Sequence, residues 1–177
     1  MKAGEQQTFQ KKMLDLAAED VFKRDHELAT GTATQTTTSP SPASPSGKHA
    51  VKAKLLRPSF SEINLRIFDL SNSNEPTIVL SVTADMPAAK SEEPRRYAIT
   101  IVAREDIYGD LHRAFSSVTD EQHLDVIPRM ELIDAVDADG DGRGELLFRQ
   151  LYTSGNAYVI YRVIGAQIYP LFQGTPS

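Results

Sequence analysis

Four acidic side chains lie close together between Asp137 and Glu145, in the stretch AVDADGDGRGELLF. Counted from Asp137, the acids stand at positions 1, 3, 5 and 9. Gly140 and Gly142 permit a sharp chain reversal that a β-carbon would hinder. Calcium binds about six to eight oxygen atoms at about 2.3–2.6 Å. The spacing therefore predicts a calcium site for which one loop supplies most of the ligands.

The predicted ligands are four carboxylates and one main-chain carbonyl, from Asp137, Asp139, Asp141, Glu145 and, for the carbonyl, Arg143. About one or two waters would complete the shell. Calcium is favoured over magnesium, because magnesium demands stricter octahedral geometry and retains its waters. Mutual repulsion of the carboxylates gives a physical reason for an ion. The alternative is an empty turn, since Asp-Gly pairs are strong turn formers by themselves.

The loop departs from an EF-hand, because Phe148 stands at position 12, where the EF-hand carries a bidentate Glu. With its last acid at position 9, it resembles the Asp-x-Asp-x-Asp-Gly-x-x-Asp/Glu calcium loops of FG-GAP and VCBS repeats. This resemblance covers only about residues 134–148 and implies a structural calcium ion, not a catalytic one. The motif occurs once, whereas a propeller needs a periodic set. The resemblance therefore does not extend to the propeller fold.

A wider resemblance involves the segments HLDVIPRMELIDAVDADGDGRGELLFR and FDLSNSNEPTIVLS. Together they are similar to the C-terminal module of uncharacterised, exported bacterial proteins, over roughly residues 58–174. The resemblance implies a single module without a named activity, located in the periplasm or outside the cell. The cytoplasm is the alternative location. The stretch MKAGEQQTFQ has no apolar signal-peptide core, so we expect a secretory signal to be either lacking or already removed.

Alternation of apolar and polar residues predicts the strands that carry the acidic loop. It is found in residues 63–67, 78–83, 97–104, 130–136, 145–152, 157–164 and 167–172. Short, turn-rich connections favour antiparallel pairing of neighbouring strands. The predicted fold is mainly β, with about seven antiparallel strands in a sandwich or half-barrel. Residues 107–117 lack clean alternation, and we predict a short helical or irregular crossing there.

Two further segments precede these strands. Residues 6–28 carry apolar side chains at three- and four-residue spacing, which predicts an amphipathic helix with a stripe of Phe9, Met13, Leu16, Ala17 and Val21. Residues 31–50 are rich in Thr, Ser and Pro, which is typical of a disordered linker. We therefore divide the chain into a helical arm (1–30), a linker (31–50) and an antiparallel β domain (51–177).

Composition argues against several classes of function. The net charge of −5 and the absence of a basic cluster argue against nucleic-acid binding. The chain has no cysteine, which excludes disulfides and thiolate chemistry. No apolar run reaches the roughly 18 residues that span a bilayer. The four histidines lack an i,i+4 pair, and no phosphate loop or nucleophile elbow occurs, so we predict no catalytic residues.

These observations predict a non-catalytic β module with one structural calcium ion, which acts in binding or surface architecture. The alternative is a metal-free interaction domain whose helix recruits a protein partner or a second copy of the chain. An enzyme with an unrecognised carboxylate site is the least favoured hypothesis. The C-terminal aromatic residues are predicted to form core and cross-strand pairs rather than a binding platform; they are Tyr152, Tyr158, Tyr161, Tyr169 and Phe172.

Overall fold

The computed structural model describes residues 3–30, 57–73, 75–87 and 94–177, so the predicted linker lies outside the described residues. One helix precedes eight strands: α1 (Ala3–Thr30), β1 (Ser59–Phe68), β2 (Thr77–Met86), β3 (Arg95–Glu105), β4 (Leu111–Thr119), β5 (Arg129–Val136), β6 (Glu145–Tyr152), β7 (Gly155–Ile164) and β8 (Gln167–Gln173). They form two four-stranded antiparallel sheets, in the orders β1-β2-β3-β4 and β5-β6-β7-β8. The predicted fold class is confirmed, with one strand more than expected.

The additional strand is β4, and the prediction of a helical or irregular crossing over residues 107–117 was wrong. A turn before the strand redirects the chain: Asp106 Oδ1 accepts a hydrogen bond from the amide of Asp110 at 3.0 Å, and Gly109 has a φ of 84°. Within β4 the pairing with β3 passes over Ala114. An extra residue of this kind changes the phase of the alternation, and the period-two signal is lost.

Helix α1 covers the outer face of the first sheet. Its residues Phe9, Met13, Ala17 and Val21 are buried. They pack against apolar side chains that alternate along β2 and β3, which are Ile78, Leu80, Val82, Ala84, Met86, Tyr97, Ile99, Ile101 and Ala103. The predicted helix is confirmed, and its apolar stripe lies against the chain's own sheet.

The second sheet packs on the inner face of the first. Strand β5 contacts β2, β3 and β4, so it runs across several strands of the first sheet. The shared core consists of Leu70, Val79, Val102, Met130, Leu146, Phe148 and Val159. Thr100 Oγ1 donates a hydrogen bond to the Met130 carbonyl at 2.9 Å. The result is a two-sheet sandwich with α1 as a third layer. In the described part of the chain, no helix has the length and apolarity needed to cross a membrane.

Candidate metal site

The acidic loop connects β5 to β6 as a tight reversal. Gly140 and Gly142 have φ values of 77° and 79°, a region that residues with a β-carbon avoid. The Asp137 carboxylate closes the turn: Oδ1 accepts a hydrogen bond from the Gly140 amide at 2.7 Å, and Oδ2 accepts one from the Gly142 amide at 3.0 Å. The two glycines therefore have the hinge role that the sequence predicts.

The loop is anchored to the connection between β1 and β2. The Gly144 amide donates a hydrogen bond to the Leu70 carbonyl at 2.7 Å, and Asn72 Nδ2 donates one to the Gly142 carbonyl at 3.3 Å. A β-carbon at Gly144 would lie only 3.0 Å from Leu70 Cδ2. This close approach fixes the loop against the end of the first sheet.

Three of the predicted ligands converge. Asp137, Asp139 and Glu145 each place one carboxylate oxygen so that the three oxygens lie within 4.8 Å of one another. Two oxygens on opposite sides of one calcium ion would be at most about 5.2 Å apart, since each lies up to about 2.6 Å from the metal. The cluster therefore has the size of a calcium shell. Glu145 has no exposed surface, and its Oε2 accepts a hydrogen bond from the Ala138 amide at 2.9 Å.

The other two predicted ligands are placed differently. Asp141 Oδ2 lies 3.3 Å from Nη2 of Arg162 on β7. Asp141 Oδ1 accepts a hydrogen bond from the Arg143 amide at 2.9 Å. Asp141 thus lies outside the three-oxygen cluster, and both its role and that of the Arg143 carbonyl stay predictions.

Arg162 is the component of the site that the sequence reasoning missed. Its Nη2 lies 2.7 Å from Glu145 Oε1 and 2.6 Å from Asp139 Oδ2. The hydrogen bond to Glu145, and then the one to Asp139, raise the pKa of Arg162. The same guanidinium lowers the pKa of Asp139. The four loop acids outnumber Arg143 and Arg162, so the formal charge of the loop together with Arg162 remains negative.

The hairpin register could have revealed Arg162. Strands β6 and β7 join through a two-residue turn in which Tyr152 pairs with Gly155. Counting outward from that pair places Leu146 opposite Tyr161, and hence Glu145 beside Arg162. The sequence shows a turn in residues 153–156, but the register depends on which two residues form its tip.

Two histidine–carboxylate pairs elsewhere have a local structural explanation. His112 Nε2 lies 2.9 Å from Asp106 Oδ2, and His123 Nδ1 lies 2.7 Å from Asp120 Oδ1. The hydrogen bond from His112 lowers the pKa of Asp106. Asp106 and Asp120 also accept hydrogen bonds from nearby backbone amides. Both pairs therefore close turns in the chain.

No protein-family model matches the sequence, and comparison with curated proteins and with solved structures finds no match either. The resemblance of the acidic loop to FG-GAP and VCBS loops therefore depends on the residues of the loop alone. The same holds for the wider resemblance to exported bacterial modules. Both stay predictions, and a function has to be argued from the geometry of the site.

Proposed function

We propose that the chain is a non-catalytic β module of an exported bacterial protein, and that its acidic loop holds one structural calcium ion. Its role is in binding or in surface architecture. The observation that carries the calcium proposal is the convergence of Asp137, Asp139 and Glu145, with one oxygen of each within 4.8 Å of the others. All three donors are carboxylate oxygens, which suit a hard cation.

Calcium and Arg162 have to share the same carboxylates. Arg162 donates hydrogen bonds to Glu145 Oε1 and Asp139 Oδ2. A carboxylate oxygen has more than one lone pair, so these oxygens retain capacity for an ion. Repulsion between the guanidinium and the ion lowers the affinity. We therefore expect binding in the range of about 10⁻⁴–10⁻³ M that is typical of extracellular modules, which fits an exported protein.

The structural effect of the ion follows from the anchoring of the loop. Calcium would join Asp137 and Asp139, near the tip of the loop, to Glu145 at the start of β6. Since the Gly144 amide already ties this region to Leu70, the ion would brace the β5–β6 hairpin against the first sheet. At a calcium concentration tenfold above the dissociation constant, the gain in stability is about 1.4 kcal/mol.

Calcium titration by calorimetry tests the proposal on the wild type, Asp139→Ala and the control Asp125→Ala. Asp125 is exposed and lies before β5, outside the cluster. We expect similar affinities for the wild type and the control, and an affinity at least about tenfold lower for Asp139→Ala. A wild type that shows no heat change of either sign on calcium addition, and melts at the same temperature in calcium and in chelator, contradicts the proposal.

The metal-free alternative, an interaction domain that recruits a partner through its helix, has weaker support. The apolar stripe that would attract a partner is buried: Met13, Ala17 and Val21 have no exposed surface. Recruitment through this stripe would require α1 to leave the first sheet. The calcium titration and the melting temperatures separate the two functions, because only the calcium module binds the ion and is stabilised by it.

A further inference from the structure

A cleft of about 290 Å³ lies between β1–β3 and the start of β5. Its floor includes the apolar side chains of Val79, Met130 and Leu132. This volume is at the lower end of the range of about 300–1,000 Å³ for small-molecule sites. It corresponds to about ten waters at about 30 Å³ each. The rest of the lining is largely polar and includes Asn64, Ser81 and Thr100. A ligand of this cleft is therefore a small polar molecule whose apolar part can lie on the floor.

One wall of the cleft carries the carboxylate of Glu62. Glu62 Oε2 accepts a hydrogen bond from Thr83 Oγ1 at 2.7 Å. Among the residues that the structure describes, no Lys, Arg or His side chain forms an ion pair with Glu62. Glu62 is exposed, so a cationic group of a ligand can reach its carboxylate and form a charge-assisted hydrogen bond.

The opposite charge is supplied by Arg129, at the start of β5. Its Nε lies 4.0 Å from Glu131 Oε1, which is the limit of an ion pair. Glu131 itself is held by Arg149, whose Nη2 lies 2.5 Å from Oε2. Because Glu131 has this closer partner, the Arg129 guanidinium retains free donors. Four charged residues line the cleft, of which Arg66 pairs with Asp134 and Glu131 with Arg149. Glu62 and Arg129 are therefore the two charged groups of the lining that a ligand can bind.

The backbone of Glu62 is held in an uncommon conformation. Its φ is 53°, in the left-handed region that residues other than glycine seldom adopt. It lies in an irregularity of β1 between Ser61 and Asn64. The Ser61 hydroxyl is buried and has no hydrogen-bond partner within the described ranges. Backbone strain of this kind concentrates at ligand-binding sites, and a bulge can redirect a side chain; here that side chain lines the cleft.

We propose that this cleft binds a small zwitterion with an aliphatic side chain, such as a free amino acid or a dipeptide. Its ammonium group binds Glu62, its carboxylate binds Arg129, and its side chain lies on the apolar floor. Hydrogen bonds between charged groups are stronger than neutral ones. A neutral sugar would leave both charges unpaired, and no aromatic ring of the described residues lines the cleft for stacking. This site is independent of the acidic loop and of calcium.

A ligand series on the wild-type chain tests the proposal without any substitution. Binding of leucine, N-acetyl-leucine, leucinamide and glucose is followed by calorimetry and by NMR chemical shifts. We expect leucine to bind, the two derivatives that lack one charge to bind at least about tenfold more weakly, and glucose not to bind. Glucose binding as tightly as leucine, or no shift with leucine at millimolar concentration, overturns the proposal.

Two variants test which residue binds the ammonium group of the ligand and which binds its carboxylate. Glu62→Gln is expected to weaken the binding of leucine but not that of N-acetyl-leucine, whose only charge is negative and is repelled by Glu62. Arg129→Gln is expected to weaken the binding of leucine but not that of leucinamide, whose only charge is positive and is repelled by Arg129. Glu121→Gln and Arg96→Gln are the matched controls, since neither residue lines the cleft. Leucine affinity that is equal in all four variants overturns the proposal.

Discussion

The guanidinium of Arg162 lies 2.7 Å from the carboxylate of Glu145, a side chain with no exposed surface. Burial of a carboxylate is costly unless a partner offsets the loss of hydration. Arg162 provides that partner from the neighbouring strand, and it also contacts Asp139. The acidic loop therefore has an internal counter-ion, which distinguishes it from a loop that depends on a metal ion alone.

We predict that Arg162→Gln lowers the thermal stability of the chain, because it leaves the Glu145 carboxylate buried without a cation. The control is Arg149→Gln, since Arg149 pairs with a glutamate whose side chain is 33% exposed and water can replace that partner. Thermal unfolding of both variants should show the larger decrease for Arg162→Gln. Equal melting temperatures would mean that the Arg162 guanidinium does not stabilise the buried Glu145 carboxylate.

Calcium should bind Arg162→Gln more tightly than the wild type and should stabilise it more. Removal of the guanidinium raises the negative charge of the cluster and frees oxygens of Glu145 and Asp139. We expect a tighter calcium affinity by calorimetry and a larger calcium-dependent rise of the melting temperature. An unchanged affinity would indicate that an ion and Arg162 do not share these oxygens.

Much of the fold could be predicted because the signals are local. Strands β2 and β3 alternate because their outer face is apolar and packs against α1, whereas their inner face also carries the polar residues Ser81, Thr83 and Thr100. The apolar stripe of α1 follows from the three- and four-residue spacing of its apolar residues. The hinge role of Gly140 and Gly142 follows from the steric freedom of glycine. None of these predictions requires knowledge of distant contacts.

The remaining features depend on long-range pairing. Arg162 joins the acidic loop through the register of β6 and β7, which no local pattern reveals. The prediction of core positions was wrong for Tyr158, Tyr169 and Phe172, which are 48%, 44% and 53% exposed. A cross-strand pair does form between Phe172 and Ile160. The three exposed aromatic residues lie on β7 and on β8, the last strand of its sheet, where aromatic residues fit a strand without needing burial. Tyr161, in contrast, packs between Phe115 and Phe148.

Docking of α1 on the first sheet predicts a stability effect that an independent arm would not show. Met13 is fully buried between the helix and the sheet. We expect Met13→Ala to lower the free energy of unfolding by about 2–5 kcal/mol, as for other large-to-small core substitutions. Chemical denaturation measures this value, with the exposed helix residue Glu19→Ala as control. An effect as small as that of the control would mean that the arm does not dock in solution.

The buried phenol of Tyr97 predicts a loss of stability at alkaline pH. Burial and the hydrogen bond from its Oη to Asp25, 2.9 Å long, raise the pKa of Tyr97 from 10.0 to about 12. The folded state thus favours the neutral phenol. Its contribution is fully present below about pH 10, the pKa of an unfolded tyrosine, and is lost as the pH rises towards about 12.

Tyr97→Phe should therefore flatten the decline of the unfolding free energy between about pH 10 and 12. Below that window the variant is less stable by about 1 kcal/mol, because it lacks the hydrogen bond to Asp25. Denaturation at a series of pH values measures both effects. Tyr108→Phe, at a side chain that is 83% exposed, should retain the wild-type profile. If Tyr97→Phe declines as steeply as the wild type, the phenol does not cause the alkaline loss.

The left-handed backbone of Glu62, with a φ of 53°, predicts an inverted order of stability between two small substitutions. At an ordinary strand position glycine is less stable than alanine by about 0.5–1 kcal/mol, because it loses more backbone entropy on folding. In the left-handed region the β-carbon of alanine costs about 1–2 kcal/mol. Glu62→Gly should therefore be more stable than Glu62→Ala, by up to about 1.5 kcal/mol after both terms are combined.

Both variants lose the hydrogen bond between Glu62 and Thr83, so their difference isolates the backbone. Urea denaturation of the two proteins gives the difference directly. The ordinary order, with alanine the more stable, would show that Glu62 is not strained in solution. The inverted order means that the wild type retains a strained glutamate where glycine would be more stable. Such a cost is expected where a carboxylate has to point into a binding cleft.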